Sequence, residues 1–161
     1  MAGSRKPGSR RGPLFDTLAR VAARVVRWEG VRRARVELAL LGPAAMRRLN
    51  RRTTGRRGLT DVISFTLPLP DGAILGDVYI CPAAARAFVT GSRAARRSGD
   101  KRSDRPSARP PGLHEELVRL AVHGTLHVLG YDHPEGPGRT RSVMWRRQER
   151  YVRRLMARRH G

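Results

Sequence analysis

The chain contains one cysteine, Cys81, so it can build neither an internal disulfide framework nor a cysteine-based zinc finger. Aromatic residues make up only 5% of it. Acidic residues are also scarce. Thirteen Asp and Glu stand against 34 Lys and Arg, for a formal net charge of +21. No apolar run approaches the ~18 residues of a membrane span. The basic first residues are not followed by an apolar segment of signal-peptide type, because Asp16, Arg20, Arg24 and Arg27 interrupt what comes next. These deficits argue against disulfide-stapled and membrane-spanning classes. The expectation is a cytoplasmic protein with no membrane partner.

What remains is 161 residues, 39% of them apolar, enough for one domain with a real core. The surplus of positive charge repels itself in a compact state and makes sense opposite a polyanion. Nucleic acid is the first candidate; an anionic membrane surface is the second reading of such charge and is not the one adopted. A chain rich in Arg, Ala, Gly and Pro also fits the codon bias of a GC-rich genome, which explains less well why acidic residues did not rise in step.

Residues 1–12 combine basic residues with Gly, Ser and Pro and read as a disordered basic arm, leaving 13–161 as the domain. From Leu14 to Trp28 the apolar residues Leu14, Leu18, Val21, Ala22, Val25 and Val26 recur at helical spacing, and Gly30 closes the segment. Alternation over Ala34–Leu41 predicts a half-buried strand. A short helix is expected over Ala44–Asn50, then a basic loop from Arg51 to Gly58. Thr60–Phe65 and Leu75–Cys81 read as strands that could pair across the turn at Pro68–Gly72, with Cys81 buried. Pro82 opens a helix to about Arg97, with a possible break at Gly91-Ser92. Residues 98–112 have almost no apolar side chains and read as a mobile basic loop. Leu113–Leu129 is apolar nearly all the way round, the mark of a central buried helix, with Gly130 as its cap. A last helix is expected over Arg139–Arg158, with the stripe Val143, Met144, Tyr151, Val152 and Leu155.

Three of the five histidines fall within His123-Gly-Thr-Leu-His127-Val-Leu-Gly-Tyr-Asp-His133. Residues four apart share a helix face, so His123 and His127 point together. Gly130 lets the chain double back and return His133 to the same point. One buried histidine is usually a satisfied core residue, but three at this spacing on the most apolar helix call for a metal. Three imidazoles form a half-shell for zinc, with a position left for water or substrate. The spacing equals that of the metzincin proteases, H-E-x-x-H-x-x-G-x-x-H. Their general base stands beside the first histidine, where this chain has Gly124, so peptide hydrolysis is not expected.

The same string resembles the signature of the YbeY family of bacterial rRNA maturation factors, H-G-x-L-H-L-x-G-Y-D-H. Leu49-Asn50 followed by Thr60-Asp61-Val62-Ile63-Ser64-Phe65 resembles the family's L-N … P-T-D-V-L-S-F, and Leu75–Cys81 resembles L-G-D-I-x-I-C. The likeness covers about residues 14–90 and 113–155. It implies a single compact α+β domain, a small mixed β-sheet surrounded by helices, with zinc, one ion per chain, on His123, His127 and His133. It also implies a single-strand-specific endoribonuclease whose partners are single-stranded RNA, 16S rRNA and the ribosomal small subunit. The expected roles are 16S rRNA 3′-end maturation and ribosome quality control. The chain departs from the family at Thr54, where Y-R-G would place an arginine, and at Leu59, where it would place a proline.

Cutting RNA requires neutralising charge that builds on phosphate oxygens, and arginine forks suit that task. Arg51, Arg52, Arg56 and Arg57 are the RNA-contact candidates, with the 98–112 loop as a second basic segment; the alternative for both is a solvated charge run. No catalytic carboxylate is assigned. Asp132 adjoins a ligand but can simply shape the turn, Glu116 lies ~10 Å from His123 along the helix axis, and Asp77 can be a strand-end hydrogen-bond partner. Two other function classes remain open. One is a non-catalytic zinc-containing ribosome-assembly factor that binds rRNA, and the other is a metal hydrolase acting on a small substrate.

Overall fold

The structure is a computed structural model that describes residues 12–97 and 111–157. The expected arm, apart from Gly12, and the expected loop, apart from Pro111 and Gly112, lie outside the described residues. The elements run α1 (Pro13–Trp28), β1 (Ala34–Leu40), α2 (Pro43–Thr54), β2 (Val62–Pro68), β3 (Ile74–Ile80), α3 (Pro82–Arg97), α4 (Leu113–Val128), a 3₁₀ turn (Arg139–Arg141) and α5 (Val143–Ala157).

The sheet has the order β1-β3-β2. β2 and β3 form the antiparallel hairpin that the turn residues predict, in register from Val62↔Ile80 to Pro68↔Ile74. β1 joins the other side of β3 in parallel, from Ala34↔Ile74 to Leu40↔Ile80, so the sheet is mixed and the class is α+β as expected. A parallel neighbour needs a crossover. α2 and β2 supply the intervening chain.

α4 runs over this sheet and touches α1, α3, α5, β2 and β3. Contact on so many sides explains why it reads apolar all round. The core gathers Leu18 and Val25 of α1, Val78 and Ile80 of β3, Leu117, Val122 and Leu126 of α4, and Met144 and Leu155 of α5. Two glycines let helix and sheet approach closely. A Cβ at Gly76 would stand 2.2 Å from Val128 Cγ1, and one at Gly124 would stand 2.5 Å from Val78 Cγ1. The Thr66 hydroxyl of β2 reaches the His127 and Val128 carbonyls at the end of α4, each at 3.4 Å. The helix carrying the histidines is therefore seated on the sheet at its C-terminal half.

Several boundaries differ from expectation. α2 continues through Arg51–Thr54, which were expected in a loop. Arginine is a good helix former, and the Thr53 and Thr54 hydroxyls bond back to the Leu49 and Asn50 carbonyls at 2.9 Å. The helix stops only at Gly55, which has φ +73° and donates its N–H to the Arg51 carbonyl. The last helix begins at Val143, not Arg139. The 3₁₀ turn comes first, and Ser142 is extended with its hydroxyl accepting the Trp145 N–H at 3.1 Å, an N-cap. Val143 consequently falls off the expected stripe and is exposed, whereas Met144, Tyr151, Val152 and Leu155 are buried. Gly91-Ser92 does not break α3. Cys81 is buried, as expected.

Candidate metal centre

His123 and His127 lie on the last two turns of α4. The helix then ends in a Schellman turn: Gly130, at φ +96°, donates to the His127 carbonyl and Tyr131 donates to the Leu126 carbonyl, each at 3.0 Å. This turn reverses the chain, and Asp132 Oδ1 accepts the His133 N–H at 2.7 Å. The potential ligand atoms of His123, His127 and His133 all lie within 4.8 Å of one another. The ring centroids stand 4.6 to 5.1 Å apart.

Each ring is held by its other nitrogen. Nδ1 of His123 faces Gln148 Oε1 at 2.8 Å, that of His127 faces the Tyr131 carbonyl at 3.0 Å, and that of His133 faces the Pro134 carbonyl at 3.1 Å. These oxygens can only accept, so each Nδ1 carries the proton and each Nε2 keeps its lone pair. His123 Nε2 and His127 Nε2 then face each other at 3.1 Å with no proton between them. His133 Nε2 is buried and has no hydrogen-bond partner among the described residues. Three inward lone pairs on neutral imidazoles repel one another and suit a shared cation. This arrangement could hold a metal ion, and the donor set fits zinc.

Burial pushes the His123 imidazole down to about 4. The hydrogen bond to Gln148 works in the opposite direction, and the charges of His127, His133 and Arg139 add to the lowering. Burial lowers His127 as well, with His133 next in importance. Both rings are therefore neutral at pH 7, the form a metal requires.

The candidate carboxylates do not join the group. Glu116 is buried in an ion pair with Arg119 at 3.1 Å. Asp132 is used by the His133 backbone, and Asp77 accepts from the Tyr79 hydroxyl at 3.3 Å. Gly124 faces Val78 and Ser64 of the sheet and not the histidines, so the position of the protease base is filled by the helix–sheet contact.

Arg51, Arg52, Arg56 and Arg57 are all exposed. The first two occupy the last turn of α2, where the helix dipole favours positive charge. Arg56 reaches Glu135, two residues past His133, at 3.9 Å, which brings this segment to the rim of the histidine cluster. Thr54 has a structural duty. Its hydroxyl bonds Asn50 Oδ1 at 2.8 Å while Asn50 Nδ2 donates to the Gly58 carbonyl at 2.9 Å, which shapes the 55–58 loop.

Sequence reasoning missed Gln148 and Arg139. Gln148 left a signal, a polar residue in the otherwise apolar stripe of α5. Arg139 left none. Its guanidinium lies over the Trp145 ring at 5.7 Å, and its charge is felt by His123, His127 and Asp61. Burial, followed by the Glu116 charge, raises the Asp61 carboxyl above its ordinary range.

A family profile described as Endoribonuclease YbeY matches residues 14–156. The chain is similar to the Endoribonuclease YbeY of Pelotomaculum thermopropionicum, 36% identical over 150 residues covering 88% of this chain and 86% of that one. It is similar to that of Mycolicibacterium paratuberculosis, 34% identical over 113 residues, and to that of Bordetella pertussis, 38% identical over 106. Those matches cover 63% and 65% of this chain and span about half of each relative's length, 54% and 56%. In fold it resembles a solution structure from Thermotoga maritima, with TM-score 0.56 and 25% identity over 94% of this chain and 87% of that one.

Proposed function

Because the chain belongs to the endoribonuclease YbeY family, we propose that it is a zinc-dependent endoribonuclease that cuts single-stranded RNA. Its proposed setting is the cytoplasm and the small ribosomal subunit, where it acts on 16S rRNA in 3′-end maturation and ribosome quality control. One observation carries the reading. Three Nε2 lone pairs converge while every Nδ1 is tied to an oxygen.

A zinc ion there would supply a Lewis acid for a phosphoryl oxygen and would lower the pKa of a bound water toward ~7. The protein's own part is to hold the ligands and draw in the phosphate. His123, His127 and His133 would bind the metal at one ion per chain. Arg139 places positive charge beside them, where a phosphate would sit. Arg51, Arg52, Arg56 and Arg57 would grip the strand along one rim, where Arg56 meets Glu135, two residues past His133. Helix α4 cannot carry a carboxylate at Gly124 toward the metal, which disfavours peptide hydrolysis. A small uncharged substrate would leave the +21 charge without a role.

Purified protein is expected to cut single-stranded RNA weakly and to leave duplex largely intact. Cleavage should disappear on metal removal and in His127→Ala. A folded His127→Ala protein that cut as fast as wild type would remove the triad from the reaction. Wild type that bound rRNA and never cut it, with metal bound, would establish the assembly-factor reading instead.

A further inference from the structure

α5 buries Met144, Gln148, Tyr151, Val152 and Leu155 against the rest of the domain. Gln148 is the exception in chemistry, with 2% of its surface exposed. A buried amide is costly unless its oxygen and nitrogen both find partners. Here Oε1 stands 2.8 Å from His123 Nδ1, and Nε2 donates to Glu149 Oε1 at 3.0 Å. Glu149 also accepts from Arg119 Nε at 2.9 Å, and Arg119 holds Glu115 and Glu116 of its own helix. A continuous chain of polar contacts thus runs from His123 across α5 and back to a guanidinium on α4.

The chain fixes the orientation of the amide. A carboxylate such as Glu149 accepts from Nε2, so Oε1 is the atom that faces His123. An oxygen there can only accept, which fixes the His123 proton on Nδ1 and its lone pair on Nε2. His127 and His133 receive the same service from the Tyr131 and Pro134 carbonyls, which belong to the turn after α4 itself. Among the described residues, His123 is the one ring of the three oriented by a side chain from another helix.

We infer that Gln148 is a positioning residue for the metal centre, holding His123 with Nε2 toward the shared point and so setting the affinity for the metal. The inference rests on the metal-binding reading above and adds a residue to it.

Two variants test it. Gln148→Met keeps the length of the side chain and removes the amide, whereas Gln148→Glu keeps an oxygen for Nδ1–H. Gln148→Met loses the donor to Glu149, and Gln148→Glu is combined with Glu149→Gln so that two carboxylates do not meet where Nε2 now donates. In competition for zinc with a chromogenic chelator, Gln148→Met should bind about 10- to 100-fold more weakly than wild type, the usual effect of losing such a partner. Gln148→Glu with Glu149→Gln should stay close to wild type. Thermal unfolding of the metal-free proteins separates positioning from packing. Equal zinc affinity for Gln148→Met and wild type, or losses in both variants that follow their losses of stability, would overturn the inference. A measurement on wild type needs no variant to fold. Two-bond proton–nitrogen correlation of the metal-free protein should show His123 protonated at Nδ1, and protonation at Nε2 would overturn the inference. If wild type takes up no zinc at all, the metal reading itself fails, and the role of Gln148 falls with it.

Discussion

The Tyr131 hydroxyl donates to Glu29 at 2.7 Å across 102 residues of chain, joining the turn after α4 to the end of α1. Glu29 also accepts from the Tyr151 hydroxyl and, at 3.1 Å, from Arg147 of α5. An acid at the C-terminal end of a helix opposes the dipole, so this carboxylate is held by its partners. The Tyr131 carbonyl orients His127, which places the Glu29 node one residue from the metal centre.

Glu29→Gln should therefore destabilise the protein by about 1–3 kcal/mol at pH 7, the cost of weakening a buried, charge-assisted set of hydrogen bonds. The sign of its pH dependence follows from the shift. Burial alone would raise the Glu29 carboxyl, but hydrogen bonds from Tyr151 and Tyr131 and the Arg147 charge bring it below its ordinary 4.5. A carboxyl lowered in the folded state stabilises above the unfolded value and loses that contribution as pH falls through the folded one. Denaturant unfolding should show a wide gap between wild type and variant at pH 7 and a narrower one below pH 4.5. Equal gaps at both would mean that the charge is not the source.

Gly124→Ala should be destabilising even though alanine is the better helix former. The new Cβ would meet Val78 Cγ1 at 2.5 Å and Ser64 Oγ at 3.0 Å. Overpacking of this kind costs about 1–3 kcal/mol, to be read as a lowered melting temperature. Gly124→Glu should lose more stability and gain no peptidase activity, because position 124 faces the sheet.

Part of this centre was legible because it is local. His123, His127, Gly130 and His133 lie within eleven residues, and helical spacing plus one left-handed glycine bring them together. The hairpin of β2 and β3 was legible for the same reason, as was the helical character of α4. The parallel pairing of β1 with β3 depends on chain 40 residues away and left no pattern in either strand. Gln148 is 25 residues from His123 and becomes a partner only when α5 docks. The extension of α2 through Thr54 was missed because a run of arginines reads as loop by charge although arginine favours helix.

The metal-free protein should lose stability on acidification. His123 is lowered to about 4 against an ordinary 6.5. The unfolded chain takes up its proton first, so folding is disfavoured progressively as pH falls from about 6.5 toward 4. Bound metal shifts the same balance further, since protons compete with it for the ring nitrogens. Melting temperature measured from pH 7 to pH 5, with and without zinc, should fall in both cases, and zinc content after dialysis should fall with it. A flat profile in the metal-free protein would contradict the burial of a neutral His123.

RNA binding should weaken steeply with salt, with a log–log slope of about −0.7 per phosphate contact for single strands. Charge reversal at Arg51, Arg52, Arg56 and Arg57 should reduce both affinity and slope more than reversal at the exposed Arg20 and Arg24 of α1. Equal losses from the two sets, read from binding isotherms at several salt concentrations, would mean that the positive charge acts diffusely.

A sheet ordered β1-β3-β2 has two outer strands, and each offers a row of backbone groups to any extended chain that approaches. Within the described residues both rows are discouraging templates. β1 displays the exposed pair Arg35 and Glu37, joined at 3.1 Å, and a strand added there would have to desolvate both charges. β2 finishes on Pro68, which has no N–H to offer, and its Thr66 is engaged with the end of α4. Growth of the sheet from one molecule into the next is opposed at both sides, which guards this small three-stranded sheet against edge-to-edge aggregation.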